Sequence, residues 1–159
     1  MRLCHSRGFT MVELITILII LGILAVVAIP RMDSATSFRS VEFRDRVIAA
    51  LRYAHKTATS HRRLVCATLT QTSVALDIDN SASKDNSCDV GLMIPGGTTA
   101  SFSATQDGFV GAPSPAVLHF QPDGRVTDAA GTIADVDATV KDGGKVVVWG
   151  ATGYVGDGS

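Results

Sequence analysis

Charge is scarce in this sequence, and aromatic rings are scarcer. Of the 159 residues only 18% are Asp, Glu, Lys or Arg and 6% are Phe, Trp or Tyr. So little charge excludes a disordered polyelectrolyte and a charged coiled coil. So few rings argue against a stacking surface for single-stranded nucleic acid. Bias of charge is missing too: 14 basic against 15 acidic residues leave a formal net charge of −1, which as an average argues against a non-specific polyanion binder. The length is that of about one domain, which argues against a multidomain enzyme. Catalytic signatures are absent as well. There is no G-x-S-x-G elbow, no H-E-x-x-H helix and no cysteine–histidine arrangement for an active thiolate. His119, within a predicted strand, is read as a core or face residue. No enzyme activity and no cofactor are expected.

What the chain does have begins near its N-terminus. Residues 9–29 carry a single charge, Glu13, and from residue 14 to residue 29 only Thr16 and Gly22 interrupt an aliphatic run. As a helix, this stretch rises about 31 Å at 1.5 Å per residue, close to the ~30 Å hydrocarbon thickness of a bilayer. Arg2, His5 and Arg7 stand ahead of it, as in an exported protein. A cleaved secretory signal has a shorter apolar region of about 7–15 residues ending at a small-x-small site. This run is longer and leads into Pro30-Arg31, so it is read as retained.

Glu13 is out of place in such a segment. A carboxylate at the centre of a spanning helix costs about 2.5–3.5 kcal/mol on insertion scales, less near the interface, so it calls for a partner or a function. Snorkelling to the headgroups from the first turn is the simpler alternative. Its surroundings are Arg7-Gly8-Phe9-Thr10-Met11-Val12-Glu13-Leu14, followed by the aliphatic run and Pro30. Together these resemble the class III signal of the type IV pilin and type II secretion pseudopilin superfamily.

The resemblance implies a specific set of roles. A membrane prepilin peptidase would cut after Gly8, and Phe9 would become the N-methylated new N-terminus. Glu13 would neutralise the N-terminal amine of a neighbouring subunit in the filament, and Pro30 would kink the helix, since it lacks the amide proton. Partners would be the peptidase, other pilins or pseudopilins, the inner-membrane assembly platform and the lipid itself. The topology would be single-pass in the inner membrane with the rest in the periplasm. Arg31, Arg39, Arg44 and Arg46 beyond the span outnumber Arg2 and Arg7 before it, against the positive-inside tendency; the orientation therefore rests on the resemblance.

After Pro30 the pattern stays helical but is no longer membrane-like. Val47, Leu51, Ala54 and Ala58 recur at helical spacing with Ile48 beside them, which predicts an amphipathic helix to about residue 61 with its apolar stripe buried. His55 and His61 lack metal-motif neighbours and are read as surface or edge residues. From residue 64 the signal becomes β: segments 64–70 and 73–78 form an expected hairpin, followed by strands at 117–120, 125–127, 132–136 and 145–149. The fold class expected is α+β, a long N-terminal helix packed on an antiparallel sheet. Its parts are a leader (1–8), a membrane and filament-core helix (9–29), an amphipathic helix (30–63) and a β-rich head (64–159). The segment from Leu118 to Gly124 and a last strand near Tyr154 resemble the heads of H-type pseudopilins and of mannose-sensitive haemagglutinin-type minor pilins.

Cys4 lies in the expected leader. In the periplasmic topology that the resemblance implies, Cys66 and Cys88 share an oxidising compartment, so a disulfide is expected, with two free core thiols as the alternative. Two other motifs are tested by context. Gly150-Ala-Thr-Gly153-Tyr-Val-Gly156 looks like a dinucleotide turn, but only three residues follow where a helix is required. The oxygen-rich stretch 77–85 suggests Ca²⁺, yet it lacks the glycine and the bidentate glutamate of an EF-hand loop and is read as a solvated turn.

The small net charge conceals a division. Residues 30–63 hold 8 basic and 3 acidic residues, whereas residues 64–159 hold 4 and 11. An acidic head repels phosphate, which argues against the alternative role of a DNA-binding minor pilin. Relatives implicated in DNA uptake carry arginines in a C-terminal Gly-Arg-x-Arg stretch; the counterpart here, Gly153-Tyr154-Val155-Gly156, has none. The function expected is that of a structural minor pilin or pseudopilin that helps to initiate or tip a filament, ahead of a signal-anchored periplasmic enzyme.

Overall fold

Backbone amides at the start of a helix need an acceptor, and Thr10 supplies one. In a computed structural model, which describes residues 9–28, 34–81, 87–96, 99–104 and 108–158, the amide of Glu13 donates to Thr10 Oγ1 at 3.2 Å, and Leu14 N donates to Thr10 O at 3.1 Å. Thr10 thereby caps α1 (Met11–Ala28). The hydroxyl of Thr16 donates to Val12 O at 2.7 Å, so the one polar side chain in the aliphatic run is satisfied within the helix. The 18 residues of α1 rise about 27 Å, and residue 29, the last of the expected span, lies outside the described residues. Among the described residues no helix is long and apolar enough to cross a membrane. Pro30, the expected kink, lies outside the described residues.

The chain divides into two units, Met1–Ala35 and Thr36–Ser159. The second is built on α2 (Ser34–His61), whose stripe of Phe43, Val47, Leu51, Ala54 and Ala58 is buried as its spacing dictates. The expected helical stripe and the end at residue 61 both hold.

Among the described residues nine strands follow: β1 (Val65–Leu69), β2 (Ser73–Ile78), β3 (Val90–Gly91), β4 (Ser101–Ser103), β5 (Val117–Phe120), β6 (Val126–Thr127), β7 (Val136–Val140), β8 (Gly144–Trp149) and β9 (Tyr154–Gly158). All pairings are antiparallel. They form two sheets rather than the one expected. The first runs β3-β2-β1-β5-β6, with β4 also on β2; the second runs β7-β8-β9. Val65, Ala67, Val74, Leu76, Leu118 and Phe120 of the first sheet and Val140, Val146, Val148 and Val155 of the second join the same core as α2. Phe43 meets Phe102 and Phe109 edge-on at 5.9 and 5.4 Å, the preferred geometry for aromatic pairs.

The expected hairpin at residues 71–72 is present: Thr70 N donates to Ser73 O at 2.8 Å and Ser73 N to Thr70 Oγ1 at 2.9 Å. The strand expected at 132–136 is displaced. Asp128 Oδ1 accepts from the amides of Ala130 and Thr132, both at 2.9 Å, which winds the chain into a turn. The strand proper begins at Val136, where Val136, Ala138 and Val140 alternate inward with Asp137 and Thr139 outward.

Candidate functional site

Of the residues expected to act, Gly8 lies outside the described residues, as does Pro30. Phe9 and Glu13 are described. Phe9 precedes α1 and is 73% exposed, and Glu13, in the first turn of the helix, is exposed. Its place in the first turn suits a carboxylate, because unpaired amides give a helix N-terminus partial positive charge. The spacing Thr10-x-x-Glu13 is that of a capping box, a signal legible in the sequence that the motif reading passed over. The remaining side chains of residues 9–25 are exposed on every side. An apolar helix with no polar face is stable only where something apolar surrounds it.

In the second unit, Cys66 and Cys88 form a disulfide with 6.0 Å between Cα atoms. It lies on the face of the first sheet turned away from α2, where Cys66 pairs in register with Asp77 on one side and His119 on the other. His119 is half-buried there. Burial lowers its imidazole below the ordinary 6.5, and the nearby Asp128 carboxylate offsets this only in part. A folded-state pKa below the unfolded one means that the unfolded chain binds more protons. Stability from this group is therefore full above pH 6.5 and is lost as pH falls through the lowered folded value. Thermal melts from about pH 7.5 down to about pH 5 should show falling stability that His119→Gln flattens; equal slopes for both proteins would refute this role of His119.

The glycine motif near the C-terminus has a packing cause. Gly153 adopts φ +67°, and a Cβ on it would collide with Gly124 O and with His55 Nε2. This turn closes on α2, where His55 Nε2 lies 3.0 Å from Gly124 O. His55 thus fastens the head to its helix rather than standing at the surface. The oxygen-rich turn is likewise structural. Asp79 is 1% exposed and its Oδ1 accepts from Ser81 N and Oγ at 2.9 and 2.6 Å, while Arg63 donates to the carbonyls of Asp79 and Ser81. The described part of this stretch, residues 77–81, is tied down by these bonds, and residues 82–85 lie outside the described residues. Among the described residues no group of His, Cys, Asp and Glu is placed to hold a metal ion.

Residues 3–29 match the model of the prokaryotic N-terminal methylation motif. No curated protein and no solved structure matches the chain. The matched stretch covers Gly8, Phe9, Glu13 and the whole of α1, and over this stretch the N-terminus is similar to that of a type IV pilin-like prepilin.

Proposed function

We propose that the chain is a minor pilin or pseudopilin, anchored in the inner membrane by α1 with its head in the periplasm, and then drawn into a filament as an initiating or tip subunit. The observation that carries this reading is an apolar helix exposed on all sides, lying within the matched methylation motif, with one carboxylate in its first turn. The apolar run of the sequence, residues 9–29, of which α1 is a part, has a length within the about 17–25 residues that cross a bilayer. A bundle of like helices in a filament would cover the same surface without lipid. Cleavage after Gly8 creates an amine on Phe9, and Glu13 is the acid that can pair with such an amine on a neighbour. Cys66–Cys88 suits the oxidising compartment that this topology gives the head.

The test is the mature N-terminus. Co-expression with an active prepilin peptidase should remove residues 1–8 and leave Phe9 carrying one added methyl group, read by intact-mass and N-terminal peptide spectrometry. An uncleaved chain beside a control prepilin that is cleaved would overturn the reading.

A further inference from the structure

The single tryptophan of the chain is spent on the surface. Trp149 is 60% exposed and Tyr154 48% exposed. They are paired in register across β8 and β9, on the face of the second sheet opposite to Val146, Val148 and Val155. Their rings stand 5.5 Å apart and inclined by 50°, two walls of an open wedge. The glycine beneath is required: a Cβ on Gly156 would strike the ring and hydroxyl of Tyr154, so Tyr154 lies along the sheet over Gly156. The register of β7 on β8, Val136 opposite Val148, places Asp135 beside Trp149 in the same row. Asp135 is fixed there by its Oδ1, which accepts from Gly150 N at 2.7 Å. Asp137 follows on the same face, 3.3 Å from Lys145.

Two tilted aromatic faces with a held carboxylate at the rim form a receptor for a cationic side chain, since the ring quadrupole and the carboxylate both attract positive charge. The chain carries that charge itself. Residues 64–159, which include the wedge, hold 11 acidic and 4 basic residues, whereas residues 30–63 hold 8 basic and 3 acidic. Within that basic stretch Arg46 lies over Phe102 and Arg52 donates to Val155 O. Arg39, Lys56 and Arg62 are exposed and have no polar partner among the described residues. The geometry points to Asp135, Trp149 and Tyr154 as a docking site for a cation of the basic α2 region of a second copy of this chain. The inference rests on the subunit reading only in taking another subunit as the occupant. Aromatic and arginine contacts at its centre fit the composition of protein interfaces, and its dependence on opposite charge makes it salt-sensitive.

The test uses the full-length chain in mild detergent, with self-association read by sedimentation and by the emission of its one tryptophan. Trp149→Ala and Asp135→Lys should each weaken association about tenfold or more, and about 1 M salt should weaken the native chain likewise. Gly156→Val, which displaces Tyr154 without touching a charge, should do the same while the far-ultraviolet spectrum of the head is kept. Charge reversal at Arg39, Lys56 or Arg62 should restore association to Asp135→Lys, and the variant that does so identifies the donor. Unchanged association in Trp149→Ala and Asp135→Lys, or no rescue by any of the three reversals, overturns the site. Quenching of Trp149 by a neutral oligosaccharide, with association indifferent to Asp135→Lys, overturns it in favour of a saccharide occupant. Leader cleavage measured on the same variants separates the two proposals: intact cleavage with no docking removes this site and leaves the subunit reading standing.

Discussion

Glu13→Ala is expected to leave the chain in the membrane and to abolish its entry into filaments. Both halves follow from the place of this carboxylate. Removing it takes away an insertion cost of up to about 2.5–3.5 kcal/mol, so membrane retention should be equal or better. In an apolar bundle, however, the amine of a processed Phe9 on a neighbour would be left without an anion. Breaking one partner out of a buried ion pair costs about 3–5 kcal/mol, because the remaining charge stays desolvated. At each subunit contact that is a loss of a hundredfold or more in affinity. Glu13→Gln keeps the shape and a hydrogen-bond acceptor but not the charge, and should fail nearly as badly. The measurement is the fraction of the protein in sheared or cross-linked filaments, beside the fraction in the membrane pellet. Normal incorporation of Glu13→Ala would remove charge pairing from the mechanism, and loss of Glu13→Ala from the membrane would show that the residue acts earlier.

How far the sequence discloses the molecule depends on the range over which each signal acts. The stripe of α2 is legible because Val47, Leu51, Ala54 and Ala58 repeat with the helix itself, and all are buried. β1, β2, β5 and β8 are legible because branched residues alternate or run together between turn residues. β7 is misplaced by four residues at its start because the turn that Asp128 holds through the amides of Ala130 and Thr132 reaches past the point where the local pattern starts a strand. The division into two sheets is not legible, since it depends on which strands meet over long separations in sequence.

The residues proposed to act divide in the same way. Gly8, Phe9 and Glu13 lie within one short motif and are visible from the sequence. The wedge of Trp149 and Tyr154 depends on a cross-strand pair, a glycine that takes a ring above it and an aspartate from another strand. The glycine motif illustrates the hazard of local reading. Gly153 and Gly156 resemble a phosphate-binding turn, but one is needed for a positive φ against His55 and the other for the ring of Tyr154.

Removing the disulfide, by Cys66→Ala with Cys88→Ala, should cost the head roughly 3 kcal/mol. The bond joins residues 22 apart in sequence, and closing a loop of that size restricts the unfolded chain by about this amount in the chain-entropy model. Its place in the fold argues that the full effect is felt. Cys66 lies in β1, at the centre of the first sheet between β2 and β5, while Cys88 belongs to the connection between β2 and β3, a strand of two residues. So short a strand holds its edge weakly by ladder bonds alone, and the disulfide ties the connection that leads to it to the strand at the sheet centre. With total stabilities of about 5–15 kcal/mol for a domain, the loss is a large fraction, equivalent to a melting temperature lower by about 10–15 °C at this size. Reductant should lower the melting temperature of the native chain toward that of the double variant and leave the variant unmoved. A native chain indifferent to reductant, with two alkylatable thiols by mass spectrometry after export, would show that Cys66 and Cys88 are not joined in the protein. A reductant-sensitive chain with an unaffected double variant ties the stability of the acidic head to the oxidising side of the membrane on which the proposed topology places it.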